Sequence, residues 1–378
     1  MDLFTYQQNS ISKLLPHSYD EQELNRAIPR TEYSEKPRVS LSLNRNKRLG
    51  IGRYATVYEG DLNYKSESIR CACKVFSDED GEDCYVMAIG EILMLRRFTD
   101  CPFILQVLAV IEEKTWTGSM ELNRLTKQYF LESEMNNLSF SELLNSDDSA
   151  FEESIAAMKL VGRKQSKLVL ALPLAEQGDL WNLMQNKPET FTRDYVYQCT
   201  YQLAQAVATI HAQGVVHHDI KPQNVLVNND GSLMLSDFSN ACVVDKETLM
   251  LYDGLGRGTT AFCAPEIFSR KEGYDFAVDI YSLGVLLFTL LNGQMPFSNV
   301  AHPPSMINAI KKGFWAYHTP PGYYGDMVKI LDGTSLMDEE PLFLWIQMCT
   351  QVKATDRPTA DQLVKMIEKN IPESAMNK

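Results

Sequence analysis

Polar and apolar positions divide the chain of 378 residues into three regions. Residues 1–44 are polar, contain three prolines and show no sustained periodicity, so we expect an extension or linker there. Residues 45–111 have the pattern of strands around one helix, and from residue 178 the pattern is mostly helical. The clearest helices are predicted at 194–213 and 279–292.

The second region carries distinct strand and helix signals. Residues 53–60 and 70–76 have the composition typical of strands. Residues 82–98 repeat apolar side chains at helical spacing, among them Ile92 and Leu95. The sequence therefore predicts two strands followed by one helix in this part of the chain.

Composition and charge exclude several classes of protein. With 44% apolar and 22% charged residues the chain can bury a core, and a net charge of −13 argues against a general attraction to nucleic acid or anionic membranes. The longest strongly apolar run, 280–291, is too short to span a bilayer, and the N-terminus resembles neither a secretory signal nor a transit peptide. The eight cysteines include no Cys-x-x-Cys pair, so we expect buried free thiols in a reducing compartment. These features predict an intracellular protein without a membrane span, in the cytoplasm or, as the alternative, in the nucleus.

A glycine-rich turn is predicted at residues 49–57, Leu-Gly-Ile-Gly-Arg-Tyr-Ala-Thr-Val. Glycines let backbone N–H groups approach phosphates closely, because no Cβ intervenes. Taken alone, the pattern also fits a plain hairpin turn. A dinucleotide-binding loop of the Rossmann type requires a helix directly after it, whereas Thr56, Val57 and Tyr58 favour a strand.

Two charged residues of the second region are candidates for a pair. Lys74 lies on the second predicted strand, where its neighbours Cys73 and Val75 are apolar, so a buried or paired ammonium is expected. Glu91 lies on the predicted helix and is a candidate partner. Such a pair can hold a lysine against the phosphates of a nucleotide.

The most informative pattern runs from His217 to Asn224 and resumes at Asp237-Phe238-Ser239. It places an acid, a lysine, an amide and a second acid at fixed intervals. One carboxylate, Asp219, can accept the proton of an attacking hydroxyl. The amide and the second carboxylate can hold Mg²⁺ on the phosphates of a nucleotide.

Taken in order, these motifs resemble the eukaryotic protein kinase superfamily, serine/threonine type. The resemblance covers residues 46–371 and implies an α+β, bilobal protein kinase fold, with a small β-rich N-lobe that has one regulatory helix and a larger helical C-lobe. The pattern is non-RD-like, with His-His-Asp and Asp-Phe-Ser variants of two motifs. The motifs are the glycine turn, Lys74, Glu91, His217-x-Asp219-x-Lys221-x-x-Asn224, Asp237-Phe238-Ser239, Ala264-Pro265-Glu266, Asp279-Ile-Tyr-Ser-Leu-Gly284 and Asp356-Arg357-Pro358.

The resemblance also implies a domain organisation. An N-terminal extension precedes one kinase domain, and a short tail follows it. Within the domain an acidic insertion interrupts the N-lobe, and a hinge joins the lobes. The expected boundaries are 1–44 for the extension, 45–371 for the kinase domain, 45–172 for the N-lobe, about 113–166 for the insertion, 173–177 for the hinge, 178–371 for the C-lobe and 372–378 for the tail.

Catalytic and metal-binding roles follow from the resemblance. Asp219 is implied as the base or hydroxyl-positioning residue, and Lys221 as the cation that neutralises the transferred phosphoryl group. Asn224 and Asp237 are implied as ligands of two Mg²⁺ ions. Thr259 is expected to contact both Asp219 and Lys221, and a buried ion pair is expected between Glu266 and Arg357.

The resemblance implies ATP as the nucleotide and assigns its contacts. Lys74, paired with Glu91, grips the α- and β-phosphates. The hinge binds adenine through the carbonyl of Pro173 and the N–H of Ala175, after Leu172 as the gatekeeper. The remaining contacts are the turn residues Leu49, Gly50, Ile51 and Gly52, the residues around the adenine ring Val57, Ala72 and Leu226, and Asp179 at the ribose.

Four residues depart from the family pattern. Ala55 replaces the third glycine of the turn, at a modest expected cost. Ser239 replaces the glycine after Phe238. Because serine adopts fewer backbone conformations than glycine, the metal-binding loop should be less flexible. His218 replaces an arginine that commonly receives an activating phosphate, and Leu255 stands where that phosphate is usually attached. We therefore expect activity that does not require phosphorylation at that position.

The insertion 113–166 contains an acidic stretch, with seven Asp or Glu and no Lys or Arg between residues 131 and 158. Such charge runs are usually solvated loops. Because apolar residues such as Phe140 and Leu144 interrupt the charges, a short amphipathic helix that docks onto the N-lobe or onto a partner is the alternative.

The sequence therefore predicts an ATP- and Mg²⁺-dependent serine/threonine protein kinase acting on protein hydroxyls. The alternative is a pseudokinase that acts as a scaffold or allosteric partner, which His218, Ser239 and Ala55 favour. The intact phosphate- and metal-contacting residues oppose that alternative. A small-molecule phosphotransferase is disfavoured, because residues 258–266 resemble the peptide-substrate platform of protein kinases.

Overall fold

The computed structural model describes residues 39–52, 55–64, 67–76, 88, 91–92, 94–95, 97–98, 101–113, 121–122, 167–244, 247–251, 258–269, 273–298, 303–313, 316 and 341–376. These residues form two compact units. The first contains the described residues up to 98 together with 105–175, and the second contains 101–104 together with the described residues from 176 onward. The first unit is a β-sheet and the second is mostly helical.

The first unit is built on a six-stranded antiparallel sheet. Its order is β4-β6-β3-β2-β1-β5. Two of the predicted strands, those at 53–60 and 70–76, are present as β2 and β3. The strands are β1 (Val39–Ile51), β2 (Ala55–Tyr64), β3 (Glu67–Phe76), β4 (Ala109–Glu113), β5 (Glu121–Leu122) and β6 (Lys167–Pro173).

The first strand begins earlier than the sequence predicts. Residues 39–44 belong to β1, although the expected extension runs to residue 44. The reason is a period of two, in which buried Leu41 and Leu43 alternate with serines. Leu41 and Leu43 pack with Cys71 and Cys73 in the core of the sheet.

The structure describes only part of the predicted helix and part of the predicted insertion of the first unit. Of the predicted helix at 82–98, Ala88, Glu91, Ile92, Met94 and Leu95 are helical, and all five are buried. Of the insertion 113–166, residues Glu121–Leu122 form the edge strand β5, which pairs with Leu41 and Ser42 of β1. Residues 123–166, including the acidic stretch and its predicted docking helix, lie outside the described residues.

The second unit contains helices and short paired strands. The strands pair antiparallel as β7 with β10 and β8 with β9. No helix among the described residues is long and apolar enough to cross a membrane. The helices are α1 (Leu180–Asn186), α2 (Arg193–Ala212), α3 (Ala277–Asn292), α4 (Pro303–Lys311), α5 (Pro341–Cys349), α6 (Ala360–Asn370) and α7 (Glu373–Met376), and the strands are β7 (Val215–Val216), β8 (Val225–Val227), β9 (Leu233–Leu235) and β10 (Cys242–Val243).

The two helices predicted most clearly are confirmed, with ends displaced by one or two residues. The hydroxyl of Thr192 accepts a hydrogen bond from the N–H of Tyr195 and so caps α2. Helix α3 is buried along almost its whole length and ends at Gly293, whose φ of 72° is the left-handed conformation that glycine tolerates. Its first turn carries Asp279, a charged residue in an otherwise apolar helix.

The cysteines in the described part of the chain are buried, as the sequence predicts, except Cys242, which is half-buried. Burial raises the pKa values of Cys199, Cys263 and Cys349 to about 12. These thiols therefore stay protonated near neutral pH, which makes them unreactive. Cys84 lies outside the described residues.

Candidate active site

The predicted glycine turn joins β1 directly to β2. Gly50 and Ile51 at the end of β1 pair with Val57 and Thr56, and the N–H of Gly52 donates to the carbonyl of Ala55 at 2.8 Å. Because a strand follows the turn, the helix that a Rossmann loop requires is not there. Ala55 begins this extended strand, where alanine is tolerated.

The turn is open on its outer side. The side chains of Leu49 and Ile51 are 45% and 66% exposed, and a Cβ added at Gly50 would meet no atom within 4 Å. Backbone groups at this turn are therefore accessible to a ligand. Arg53 and Tyr54 lie outside the described residues.

Lys74 and Glu91 form the ion pair that the sequence suggested. The Lys74 Nζ lies 2.6 and 2.7 Å from the two carboxylate oxygens of Glu91, which is only 2% exposed. The Nζ also lies 5.5 Å from the centre of the Phe76 ring. Regular secondary structure positions both partners, because Lys74 lies on strand β3 and Glu91 lies on a helical turn.

The other nucleotide-contacting candidates of the first unit lie on neighbouring strands. Val57 is opposite Lys74, and Ala72 is opposite Leu172. Because side chains two residues apart share a face, Ala72 and Lys74 project from the face opposite to buried Cys71 and Cys73. Pro173 is the last residue of β6, and Ala175 follows it at an intermediate exposure.

In the second unit, Asp219 is the centre of a hydrogen-bond cluster. Its Oδ1 accepts from the Thr259 hydroxyl at 2.8 Å, and its Oδ2 accepts from Lys221 Nζ at 2.8 Å and from Asn224 Nδ2 at 3.0 Å. Lys221 Nζ also donates to Thr259 Oγ1 at 2.8 Å. The contacts expected for Thr259 are therefore present, and both carboxylate oxygens of Asp219 have fixed partners.

The glycine before Thr259 allows this approach. Gly258 has a φ of 75°, which disfavours any side chain. A Cβ at this position would collide with the carbonyl oxygen of His218. Glycine therefore lets the backbone at 258–259 lie against the loop that carries Asp219.

Asn224 and Asp237 offer oxygen atoms suited to Mg²⁺. Asn224 uses its amide nitrogen for the backbone and side-chain oxygens of Asp219, so its amide oxygen is directed elsewhere. Asp237 has a left-handed backbone, with φ 60° and ψ 70°, and its Oδ1 accepts from the Ser239 hydroxyl at 2.9 Å. Amide and carboxylate oxygens are the protein ligands that Mg²⁺ prefers, with phosphates and water filling the remaining positions. The donor set therefore fits the ion.

Asp179 and Leu226 are brought together by a β-bridge. Asp179 also caps α1, because its Oδ1 accepts from the N–H of Asn182 at 2.8 Å. Burial raises the pKa of Asp179, although the hydrogen bonds from Asn182 oppose that change.

The residue that sequence reasoning left without a role is Asp279. This fully buried carboxylate accepts from the backbone N–H groups of His217 and His218 at 2.7 and 2.9 Å, and it lies 3.0 Å from His211 Nε2. Burial alone raises the pKa of Asp279, but the hydrogen bond from His211 and the electrostatic interactions with the neighbouring histidines outweigh it and bring the pKa below its ordinary value. The available signal was an acid at the start of a strongly apolar helix.

A second anchor is the ion pair between Glu266 and Arg357, which is confirmed. Arg357 Nη1 and Nη2 lie 2.6 and 2.9 Å from the two oxygens of Glu266. The guanidinium also donates to the carbonyls of Gln351, Val352 and Ala277 and lies over the ring of Tyr281. The pair ties α3 to the segments before and after it.

Comparison with known proteins bears on this geometry. The Protein kinase domain family matches residues 126–367, more than half of the chain. The matched range contains the Asp219 cluster and Asp237. The glycine turn and the Lys74–Glu91 pair lie before it.

Several curated relatives are plant kinases. CBL-interacting serine/threonine-protein kinase 18 of Arabidopsis thaliana is 36% identical over 183 residues, which cover 47% of this chain and 33% of that protein. Putative CBL-interacting protein kinase 13 of Oryza sativa subsp. japonica is 41% identical over 150 residues, 39% of this chain and 27% of that protein. CBL-interacting serine/threonine-protein kinase 7 of Arabidopsis thaliana is 40% identical over 146 residues, 36% and 32% of the two chains. The chain thus spans about a third or less of the length of these relatives.

Proposed function

Because the chain belongs to the protein kinase domain family, we propose that it is an ATP- and Mg²⁺-dependent serine/threonine protein kinase. It transfers the γ-phosphoryl group of ATP to a hydroxyl of a protein substrate. Serine/threonine specificity is supported by the names of two relatives and by Lys221, two residues after Asp219. The domain boundaries predicted from the sequence are part of this proposal, except that the domain includes β1 from Val39 onward.

The observation that carries the proposal is the cluster around Asp219. Three donors hold its carboxylate in one orientation, and one of them is the ammonium of Lys221. A carboxylate held in this way orients an attacking hydroxyl and accepts its proton, while Lys221 stabilises negative charge on the transferred group. The arrangement is fixed before any substrate arrives, which lowers the cost of reorganisation during the reaction.

The remaining roles concern the nucleotide and its metal ions. Asn224 and Asp237 hold Mg²⁺, which when bound neutralises charge on the β- and γ-phosphates. Lys74, oriented by Glu91, contacts the α- and β-phosphates. The open turn at Leu49–Gly52 covers the phosphates with backbone N–H groups. Pro173 and Ala175 contact adenine, Val57, Ala72 and Leu226 surround its ring, and Asp179 binds the ribose.

Activity is proposed not to need phosphorylation at position 255. Leu255 lies outside the described residues, and a leucine carries no hydroxyl to modify. Docking of a partner on the insertion 113–166 remains part of the proposal, supported by the acidic and apolar composition of that segment.

The proposal is tested by transfer of labelled phosphate from ATP to a generic protein substrate, followed by identification of the phosphorylated amino acid. The wild type is compared with Asp219→Asn and with Asp361→Asn, a control on the exposed side of α6. Loss of the base is expected to lower the rate at least about 100-fold, whereas the control retains it. Equal background signal from all three proteins would instead support the scaffold alternative, and label on tyrosine alone would contradict the specificity.

A further inference from the structure

His218 occupies a backbone conformation that few residues adopt. Its φ is 67°, and its backbone N–H donates to Asp279 Oδ1 at 2.9 Å. The residue is 5% exposed. Histidine is among the residues that occur more often than average in this left-handed region. The conformation directs the imidazole into the protein and away from solvent.

Both ring nitrogens of His218 have a partner. Nδ1 lies 3.0 Å from the carbonyl oxygen of Asn240, and Nε2 lies 3.0 Å from the hydroxyl of Tyr274. A carbonyl oxygen can only accept, so Nδ1 carries the hydrogen, and in the neutral ring Nε2 accepts from the tyrosine hydroxyl. The two rings also meet edge to face, with centroids 5.5 Å apart.

These contacts join segments that are distant in sequence. Asn240 ends the turn Phe238–Asn240 that follows Asp237. Tyr274 exchanges two backbone hydrogen bonds with Leu251, at 2.8 and 2.9 Å. One imidazole therefore connects the loop of Asp219 to the first turn after Asp237 and, through Tyr274, to Leu251.

We propose that His218 is a positioning residue that, with Tyr274, holds the turn Phe238–Asn240 and the backbone at Leu251 in their working arrangement without any phosphate. The proposal rests on the kinase function proposed above. In the tether a buried imidazole with two hydrogen-bond partners replaces an ion pair with phosphate, so the arrangement is present as soon as the chain folds. Because Asn240 lies three residues from Asp237, loosening the tether should displace the metal-binding carboxylate and slow phosphoryl transfer.

Two single substitutions each remove the hydrogen bond between His218 Nε2 and the Tyr274 hydroxyl, one at either partner. Tyr274→Phe removes the hydroxyl and keeps the ring contact. His218→Asn keeps an N–H donor near the position of Nδ1 for the Asn240 carbonyl and accepts a positive φ, but it does not reach Tyr274. With phosphatase-treated protein, each is expected to lower kcat about 5–10-fold, the effect of one buried hydrogen bond, with KM for ATP changed less than about 2-fold.

The double variant separates a tether from two independent defects. Because both changes break one contact, the double variant should lose about as much kcat as either single variant. Tyr201→Phe is the matched control, since its hydroxyl lies on α2 and accepts from Gln205 Nε2 at 2.6 Å. It should retain wild-type kcat. Wild-type kcat in Tyr274→Phe and His218→Asn, or a double variant whose loss equals the product of the two, would overturn the proposal.

Hydrogen exchange tests the tether even if the wild type transfers no phosphate. The Leu251 amide donates to the Tyr274 carbonyl, and its exchange should be protected in the wild type and about 5–10-fold faster in both single variants. Unchanged exchange at Leu251 in both variants would overturn the tether. Faster exchange in a chain without kinase activity would overturn the proposed function and leave the tether supported.

Discussion

The turn at Gly50–Gly52 and the loop from His217 to Asn224 both carry proposed phosphate-handling residues, but the chain holds them by different means. The turn is stabilised by backbone pairing between β1 and β2, and its side chains Leu49 and Ile51 are exposed. The loop is stabilised mainly by side chains. The backbone N–H groups of His217 and His218 donate to the carboxylate of Asp279, and the carboxylate of Asp219 accepts from three side-chain donors.

The difference corresponds to two tasks within one reaction. A segment that admits and releases a nucleotide on every turnover is drawn from the less stable part of a structure. A group that stabilises charge in the transition state must be oriented beforehand, because reorganisation during the reaction costs free energy. We therefore expect substitutions beneath the Asp219 loop to lower stability and activity together, whereas substitutions on the turn affect nucleotide binding alone.

The largest effect is expected for Asp279→Ala. The substitution leaves two buried backbone N–H groups and the His211 ring without their acceptor, which should lower the free energy of unfolding by about 3–5 kcal/mol. Urea denaturation followed by circular dichroism measures the loss. Asp279→Asn retains an acceptor oxygen and should lose less, and exposed Asp361→Ala should lose less than about 1 kcal/mol. An Asp279→Ala loss no larger than the Asp361→Ala loss would contradict the comparison.

The same residue predicts how stability depends on pH. Since the folded state holds the pKa of Asp279 below its ordinary value, the carboxylate stabilises the fold at neutral pH, and this contribution is lost as pH falls through the folded pKa. The free energy of unfolding should therefore fall more steeply below about pH 4 in the wild type than in Asp279→Asn. If the free energy of unfolding changed with pH in the same way in both proteins, the pKa of Asp279 would not be lowered by folding.

The next largest effect is expected for Gly258→Ala. A left-handed backbone strains alanine by about 1–3 kcal/mol, and the added Cβ also collides with the His218 carbonyl. Because Thr259 would move away from Asp219, kcat should fall about 100-fold. Gly214→Ala is the matched control, since its φ is 72° but its Cβ would make only an ordinary contact with Val244. Equal kcat for the two variants would show that close approach at Gly258 is not needed.

Ser239→Gly is expected to have a moderate effect. It removes the hydrogen bond to Asp237 and adds backbone freedom, each worth about 1 kcal/mol. The Mg²⁺ concentration for half-maximal activity should therefore rise about 5-fold or more. Ser239→Ala loses the hydroxyl alone and should lie between the wild type and Ser239→Gly. A Mg²⁺ requirement that falls in Ser239→Gly would show that serine hinders the metal site.

Contacts within one short motif were accessible from the sequence. Asp219 and Lys221 lie close enough in sequence for their side chains to meet, and Thr259 could be added through the family resemblance. The apolar run of α3 likewise marked a buried helix. The start of β1 was misplaced, because the alternation of Leu41 and Leu43 with serines is short and follows a long polar stretch.

Contacts between residues that are distant in the sequence could not be predicted in the same way. The partners of His218 lie 22 and 56 residues away, and no pattern in the sequence relates Asn240 to Tyr274. The sequence marked His218 as an unusual residue and indicated only what it does not bind. What it does bind depends on where α3 and the bridge at Leu251 place the surrounding chain. A buried donor or acceptor has to find a partner, but the sequence does not say which one.

The smallest effect on stability is expected for Ile51→Ala at the glycine turn. Ile51 and Leu43 lie on the same strand, but Ile51 is 66% exposed whereas Leu43 is 3% exposed. Ile51→Ala should change the free energy of unfolding by less than about 0.5 kcal/mol, whereas Leu43→Ala should cost about 2–5 kcal/mol. Ile51→Ala should nevertheless raise KM for ATP, because Ile51 belongs to the turn that is proposed to contact the phosphates. If Ile51→Ala destabilised the protein as much as Leu43→Ala, the turn would be as firmly packed as the Asp219 loop, and the contrast between the two phosphate-handling segments would fail.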